Sequence, residues 1–126
     1  EKNGLAVTDV EMHHNAFSEN DFRDMAKKIM DEYPEMDGIF GADMLILACL
    51  REARLRGKVV PDELHMIAYD GTYVTRIGGY QVNAIVQPIK ELAYQCVEYI
   101  DCLIRGEQVR VQDRMFPIEY QEGDTL

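Results

Sequence analysis

The stretch GIFGADMLILACLREARLRGKVVPDELHMIAYDG, residues 38–71, decides the fold. It places two short apolar runs, Gly38-Ile39-Phe40-Gly41-Ala42 and His65-Met66-Ile67-Ala68-Tyr69, on either side of a segment that reads as helix from Met44 to about Arg56. Neither run alternates apolar with polar residues, the pattern of strands covered on both faces of a parallel sheet. Parallel neighbours need a crossover of a dozen residues or more, and the helix supplies it. Asp43 is placed to cap that helix and Gly57 to stop it. The first half, Met44 to Leu50, is apolar all round, so its outer face meets either the interior or another subunit. With few elements available to bury it, the subunit reading is preferred. It predicts a dimer face of Met44, Leu47, Cys49 and Leu50, joined by Tyr80 from the loop that begins at Thr72.

Outward from this unit the alternation continues. Ser18 with Asp21 resembles a capping box, and Phe22, Met25, Ala26, Ile29, Met30 and Tyr33 recur at helical spacing until Pro34. Gly4 to Val7 reads as a short strand. After Asp70-Gly71, residues 72–81 read as a loop or an irregular turn. Val82 to Val86 is a third core strand. A helix opens at Gln87-Pro88 and carries a stripe of Ile89, Leu92, Ala93, Cys96, Val97, Ile100, Leu103 and Ile104 to Arg105-Gly106, and Arg114 to Tyr120 is a last strand. The expectation is a single α/β domain over residues 1–126, three-layered, with a mostly parallel sheet and helices on both faces. In such sheets ligands sit beyond the carboxyl ends of the strands, which directs attention to Ala42-Asp43, Asp70-Gly71 and Gln87.

Composition bounds the function. With 126 residues, 47% hydrophobic and 29% charged, the chain is ordinary globular material for one domain. A formal charge of −10 repels phosphates, so these residues do not read DNA themselves. The longest apolar run lies within Met44 to Leu50, far short of a membrane span, and no signal peptide opens the sequence, so a soluble cytoplasmic protein is expected. Cys49, Cys96 and Cys102 lack metal or disulfide spacing and read as buried thiols. The sequence contains no GxSxG, P-loop, GxGxxG or HExxH. No cofactor, metal or catalytic residue is expected.

Four segments, in order, resemble the lactose/galactose repressor family (LacI/GalR): Asp37 to Asp43, Ala48 to Leu64, Met66 to Gly71, and Val82 to Pro88. The resemblance extends through the helix after Pro88 and the closing strand. It implies a two-lobed, periplasmic-binding-protein-like effector domain that binds a small molecule, a sugar or sugar phosphate, in its cleft. Operator DNA would be bound by an N-terminal helix-turn-helix outside this chain, which would form the later part of the domain. By analogy the helix over 88–106 belongs to the other lobe. A solute receptor of a transport system is the alternative, and an α/β enzyme domain a third.

The resemblance also selects the candidate contacts. Asp70 matches a strand-end aspartate that meets the ligand, and a carboxylate suits two adjacent sugar hydroxyls; an Asx turn is the rival reading. Gln87 matches a strand-end glutamine that either lines the cleft or stabilises the hinge. Asp43 is a ligand contact or, more simply, a helix cap. Ala42 stands where the family usually carries Asn, which removes a polar contact and points to an uncommon ligand. For an aromatic face against sugar C–H groups, Phe17 is the nearest fit and Tyr73 the second. His13-His14 reads as a solvated pair, since adjacent side chains on extended backbone point apart.

Overall fold

The computed structural model describes residues 4–11, 18–77, 80–109 and 114–126. Its first helix, α1 (Glu19–Glu32), begins as the capping box requires. The Ser18 hydroxyl accepts the Asp21 N–H at 3.3 Å while the Asp21 carboxylate accepts the Ser18 N–H at 2.8 Å, satisfying two of the amides that a helix start leaves open. Met25, Ala26, Ile29 and Met30 form its buried stripe. They pack on α2 (Asp43–Leu55), whose inner side presents Ile46, Cys49, Leu50 and Ala53. Arg56 ties the two helices together through Glu52, Asp31 and the Lys27 carbonyl.

The strands are β1 (Gly38–Ala42), β2 (His65–Asp70), β3 (Asn83–Val86) and β4 (Glu119–Gln121), in the spatial order β1-β2-β3-β4. The first three run parallel and β4 is antiparallel to β3. A short 3-10 turn at Tyr73–Arg76 and helix α3 (Ile89–Ile104) complete the order. The mixed α/β, mostly parallel architecture is as the sequence implies.

Register decides which side chains share a face. Ile39, Met66, Ala68 and Ala84 turn toward α1 and α2 and make the core with Leu64 and Val82. Phe40, Ile67, Tyr69, Ile85 and Tyr120 turn the other way. On that side Phe40 is 61% exposed and meets Tyr69 edge-to-face, with ring centroids 5.9 Å apart. Among the described residues, then, helices cover one face of the sheet, and the second layer of helix expected from the apolar strands is not supplied within them. α3 has no buried residue, and among the described residues its apolar stripe stays open, with Val97 63% and Ile104 79% exposed.

Two further expectations are corrected. Gly4 to Val7 is not a strand but exposed chain, with Leu5 65% and Val7 70% exposed where a core strand would bury them. Of Arg114 to Tyr120 only the last two residues enter β4; Met115 is 95% exposed, and burial rather than apolar content makes a strand. The C-terminal tail instead carries the closure. Thr125 accepts the buried Asn83 N–H at 3.0 Å through its hydroxyl, donates that hydroxyl to the Met66 carbonyl at 2.8 Å, and gives its own N–H to Asn83 Oδ1 at 2.8 Å.

Candidate functional site

The carboxyl ends of β1, β2 and β3 come together at one rim, as a parallel sheet requires. Asp43, at the first position of α2, is 4% exposed. Its Oδ1 accepts the Gly71 N–H at 3.2 Å, and its Oδ2 accepts the Thr72 N–H at 2.7 Å and the Thr72 hydroxyl at 2.5 Å. A carboxylate this buried needs its lone pairs satisfied, and the turn after β2 does so, aided by the helix N-terminus. The expectation that Asp43 caps α2 is therefore corrected. The N-cap residue is Ala42, which makes no side-chain cap, and both Asp43 oxygens are committed to the turn.

Asp70 is half-buried at the end of β2 with φ 109°, a left-handed conformation for a non-glycine residue. Such geometry costs on the order of 1–3 kcal/mol and persists only where surroundings enforce it. Its carboxylate accepts a short hydrogen bond from Gln87 Nε2, and its carbonyl accepts the Gln87 N–H at 3.2 Å. The structure thus joins Asp70 and Gln87. It also shows that an Asx turn is not what orders this corner, since the Thr72 N–H goes to Asp43. Farther along, the Thr75 hydroxyl donates to the Thr72 carbonyl at 2.8 Å, and Arg76 and Val82 tie the 3-10 turn to Gln121 of β4. The segment leaving Asp70 is pinned at both ends.

The other candidates separate. Ala42 is exposed beside this rim, in register with Tyr69. Tyr73 is 77% exposed on the 3-10 turn. Phe17 and the His13-His14 pair lie outside the described residues. Sequence reasoning missed the exposed aromatic pair Phe40 and Tyr69; strand parity counted from Asp70 is the signal that separates them from the core. Among the described residues, no three His, Cys, Asp or Glu side chains gather as metal ligands do.

The outer side of α2 forms a second feature, a groove of about 320 Å³ lined by Leu47, Leu50, Arg51, Arg54, Ile77 and Tyr80. The Arg54 guanidinium lies 4.1 Å from the Tyr80 ring centre. Met44, in the first turn of α2, is 41% exposed. Cys49 and Leu50, expected on the same outer face, are 0% and 6% exposed; the helical turn carries them inward against α1, with Leu50 reaching only the groove floor. Burial, with Glu52 nearby, pushes the Cys49 thiol up to about 12, so it is inert. Cys96 is exposed and Cys102 half-buried, so the expectation of three buried thiols holds for Cys49 alone.

The periplasmic binding protein-like domain family matches residues 1–126, and the chain belongs to it. It is similar to the ribose operon repressor of Bacillus subtilis, 27% identical over 106 residues that make up 83% of this chain and 32% of that protein. The HTH-type transcriptional regulator DegA of the same organism is 26% identical over 119 residues, 94% of this chain and 35% of the relative. The chain therefore spans about a third of the length of these relatives. Among solved structures, a periplasmic binding protein/LacI transcriptional regulator from Alkaliphilus metalliredigens, complexed with D-xylulofuranose, superposes with a TM-score of 0.80. It is 25% identical, with 98% of this chain and 46% of that one covered.

Proposed function

We propose that the chain is the ligand-sensing part of a bacterial transcriptional regulator, and that it binds a sugar or sugar phosphate without chemistry on it. The observation that carries the reading is the rim where Asp70, held by Gln87 on a strained turn, presents a half-buried carboxylate at the strand ends. A fixed carboxylate with spare lone pairs suits vicinal hydroxyls. The relatives named as an operon repressor and as an HTH-type regulator support a regulator over the transport receptor or enzyme considered from sequence. The ribose and xylulofuranose in the names of a relative and a neighbour make pentoses the first class to try.

In this reading the rest of the cleft, and the helix-turn-helix that binds operator DNA in the cytoplasm, lie outside these residues. The uncovered stripe of α3 supports its packing on the other lobe. Sugar bridging both lobes would favour one relative orientation of them and bias DNA binding by a homodimer. That dimer would form through the α2 groove, with Met44, Leu47 and Tyr80 at the contact.

Calorimetry of the intact protein against D-ribose, D-xylulose and a set of disaccharides, with Asp70→Ala alongside, tests the assignment. Loss of charge-assisted bonds predicts a fall in affinity of about 10- to 100-fold. A sugar that binds the variant as tightly as the parent removes Asp70 from the site; a panel with no binder removes the sugar-sensing function.

A further inference from the structure

We infer that Asp43 is a positioning residue, whose buried carboxylate holds the 70–72 turn in the one conformation that presents Asp70 to a ligand; the ligand half of this statement rests on the function proposed above. Asp43 and Asp70 lie on different strand ends, and the three donors that Asp43 accepts all come from the two residues that follow Asp70. Asp70 itself sits at φ 109°. Left-handed backbone at a non-glycine residue survives only when both flanks are over-determined. On one flank β3 supplies the restraint, the Gln87 N–H and side-chain amide both reaching Asp70. On the other flank the restraint is Asp43. The Gly71 N–H meets one oxygen of Asp43, and the Thr72 N–H and hydroxyl share the second.

The carboxylate suits this task better than a neutral side chain would. It offers acceptors on both oxygens and no donor, so it gathers N–H groups that otherwise point apart. Its place in the first turn sets it at the positive end of the α2 helix dipole. Because α2 is anchored in the core by Ile46 and Cys49, the turn is held from a rigid element rather than from a loop. Removing Asp43 would let the peptide between Asp70 and Gly71 rotate, and the Asp70 carboxylate would leave Gln87 and the rim together.

The test is Asp43→Asn in the intact protein, which keeps volume but replaces one acceptor with a donor that faces an N–H. Without ligand, amide exchange at Gly71 and Thr72 should quicken at least tenfold (~10-fold per lost charge-assisted bond), while Met66 and Ala68 in β2 keep their protection. The HN–Hα coupling of Asp70, small at φ 109°, should rise toward the extended-strand value. For the tightest-binding sugar of the panel, affinity should fall about tenfold, and Asp43→Asn with Asp70→Ala should be no weaker than Asp70→Ala alone. Unchanged exchange and coupling at 70–72 would overturn the inference. So would affinity losses that multiply in the double variant, since Asp43 would then act independently of Asp70. If no sugar binds, exchange and coupling still decide the role of Asp43, and it is the sensing function that has failed. Thr72→Ala removes only the hydroxyl and gives the same readouts in a smaller step should Asp43→Asn not fold.

Discussion

Gly71 and Gly57 share a backbone conformation but not a neighbourhood, and the pair separates strain from crowding. Gly71 has φ 65° and Gly57 φ 75°, both left-handed. A Cβ added at Gly57 meets nothing within 4 Å. Alanine there carries only the conformational penalty, about 1–2 kcal/mol, partly offset by the stiffer unfolded chain, so about 1 kcal/mol of stability is lost. At Gly71 the same Cβ lies 2.6 Å from Val86 Cγ2, 2.8 Å from Val86 Cα and 3.0 Å from Val86 Cβ. The side-chain methyl can rotate away; the Cα belongs to β3 and moves only with the sheet. Overpacking of this kind adds roughly 1–3 kcal/mol, so Gly71→Ala should lose about 3 kcal/mol in all. At roughly 3–5 °C per kcal/mol for a domain of this size, melting should fall by about 10 °C in Gly71→Ala and about 4 °C in Gly57→Ala. Thermal and urea denaturation followed by circular dichroism give both values on the same protein. The site should respond in parallel, with sugar affinity weakened in Gly71→Ala and unchanged in Gly57→Ala. Equal destabilisation by the two substitutions would refute the contact argument, because the conformational penalty would then account for everything.

Other consequences can be measured directly. Folded Cys49 stays protonated up to about pH 12 while the unfolded thiol ionises near 9; stability from this group is full below pH 9 and is lost as pH rises toward 12. Cys49→Ala should flatten that alkaline slope in pH-dependent urea titrations, and a slope left intact would assign it to other groups. A thiol reagent at pH 8 should label exposed Cys96 and leave Cys49 unmodified until the protein unfolds. Leu47→Arg places a charge in the α2 groove and, on the pairing of two copies proposed there, should halve the mass seen by light scattering; an unchanged mass would count against that interface. Thr125→Val leaves the buried Asn83 N–H without its acceptor at a cost of about 2 kcal/mol. Thr125→Ser keeps the hydroxyl and should lose less; the reverse order would make methyl packing, not the hydrogen bond, what the tail provides.

The readable parts of this protein are those governed by short-range chemistry. Ser18 and Asp21 three residues apart specify a helix start that needs no tertiary partner, and Met25, Ala26, Ile29 and Met30 lie on one face because of helical period alone. The runs at 38–42 and 65–70 around a helix-length segment force a parallel pair, and the strand ends at Asp43, Asp70 and Gln87 follow from that connectivity. The misjudged residues are those for which period does not choose a partner. An all-apolar turn such as Met44 to Leu50 has no polar side to mark its outer face, so Cys49 and Leu50 could be assigned inward only when α1 was seen lying against them. Met115 and Phe116 have strand composition, yet among the described residues the pairing with β3 begins only at Glu119.

Asp43, Asp70 and Gln87 show the division most clearly. Their identities and their position at one rim were set by the sequence, since a parallel α/β unit delivers strand ends to a common edge. Their roles were set by the tertiary structure. Hydrogen bonds across 17, 28 and 29 residues depend on side-chain directions at the ends of strands paired in register, and local propensity carries no information about those directions. The sequence marked Asp43 as a helix cap because a carboxylate near a helix start ordinarily serves the nearest free N–H groups; packing instead brought it two better-placed ones from the turn at Gly71-Thr72, and the longer-range bonds prevailed.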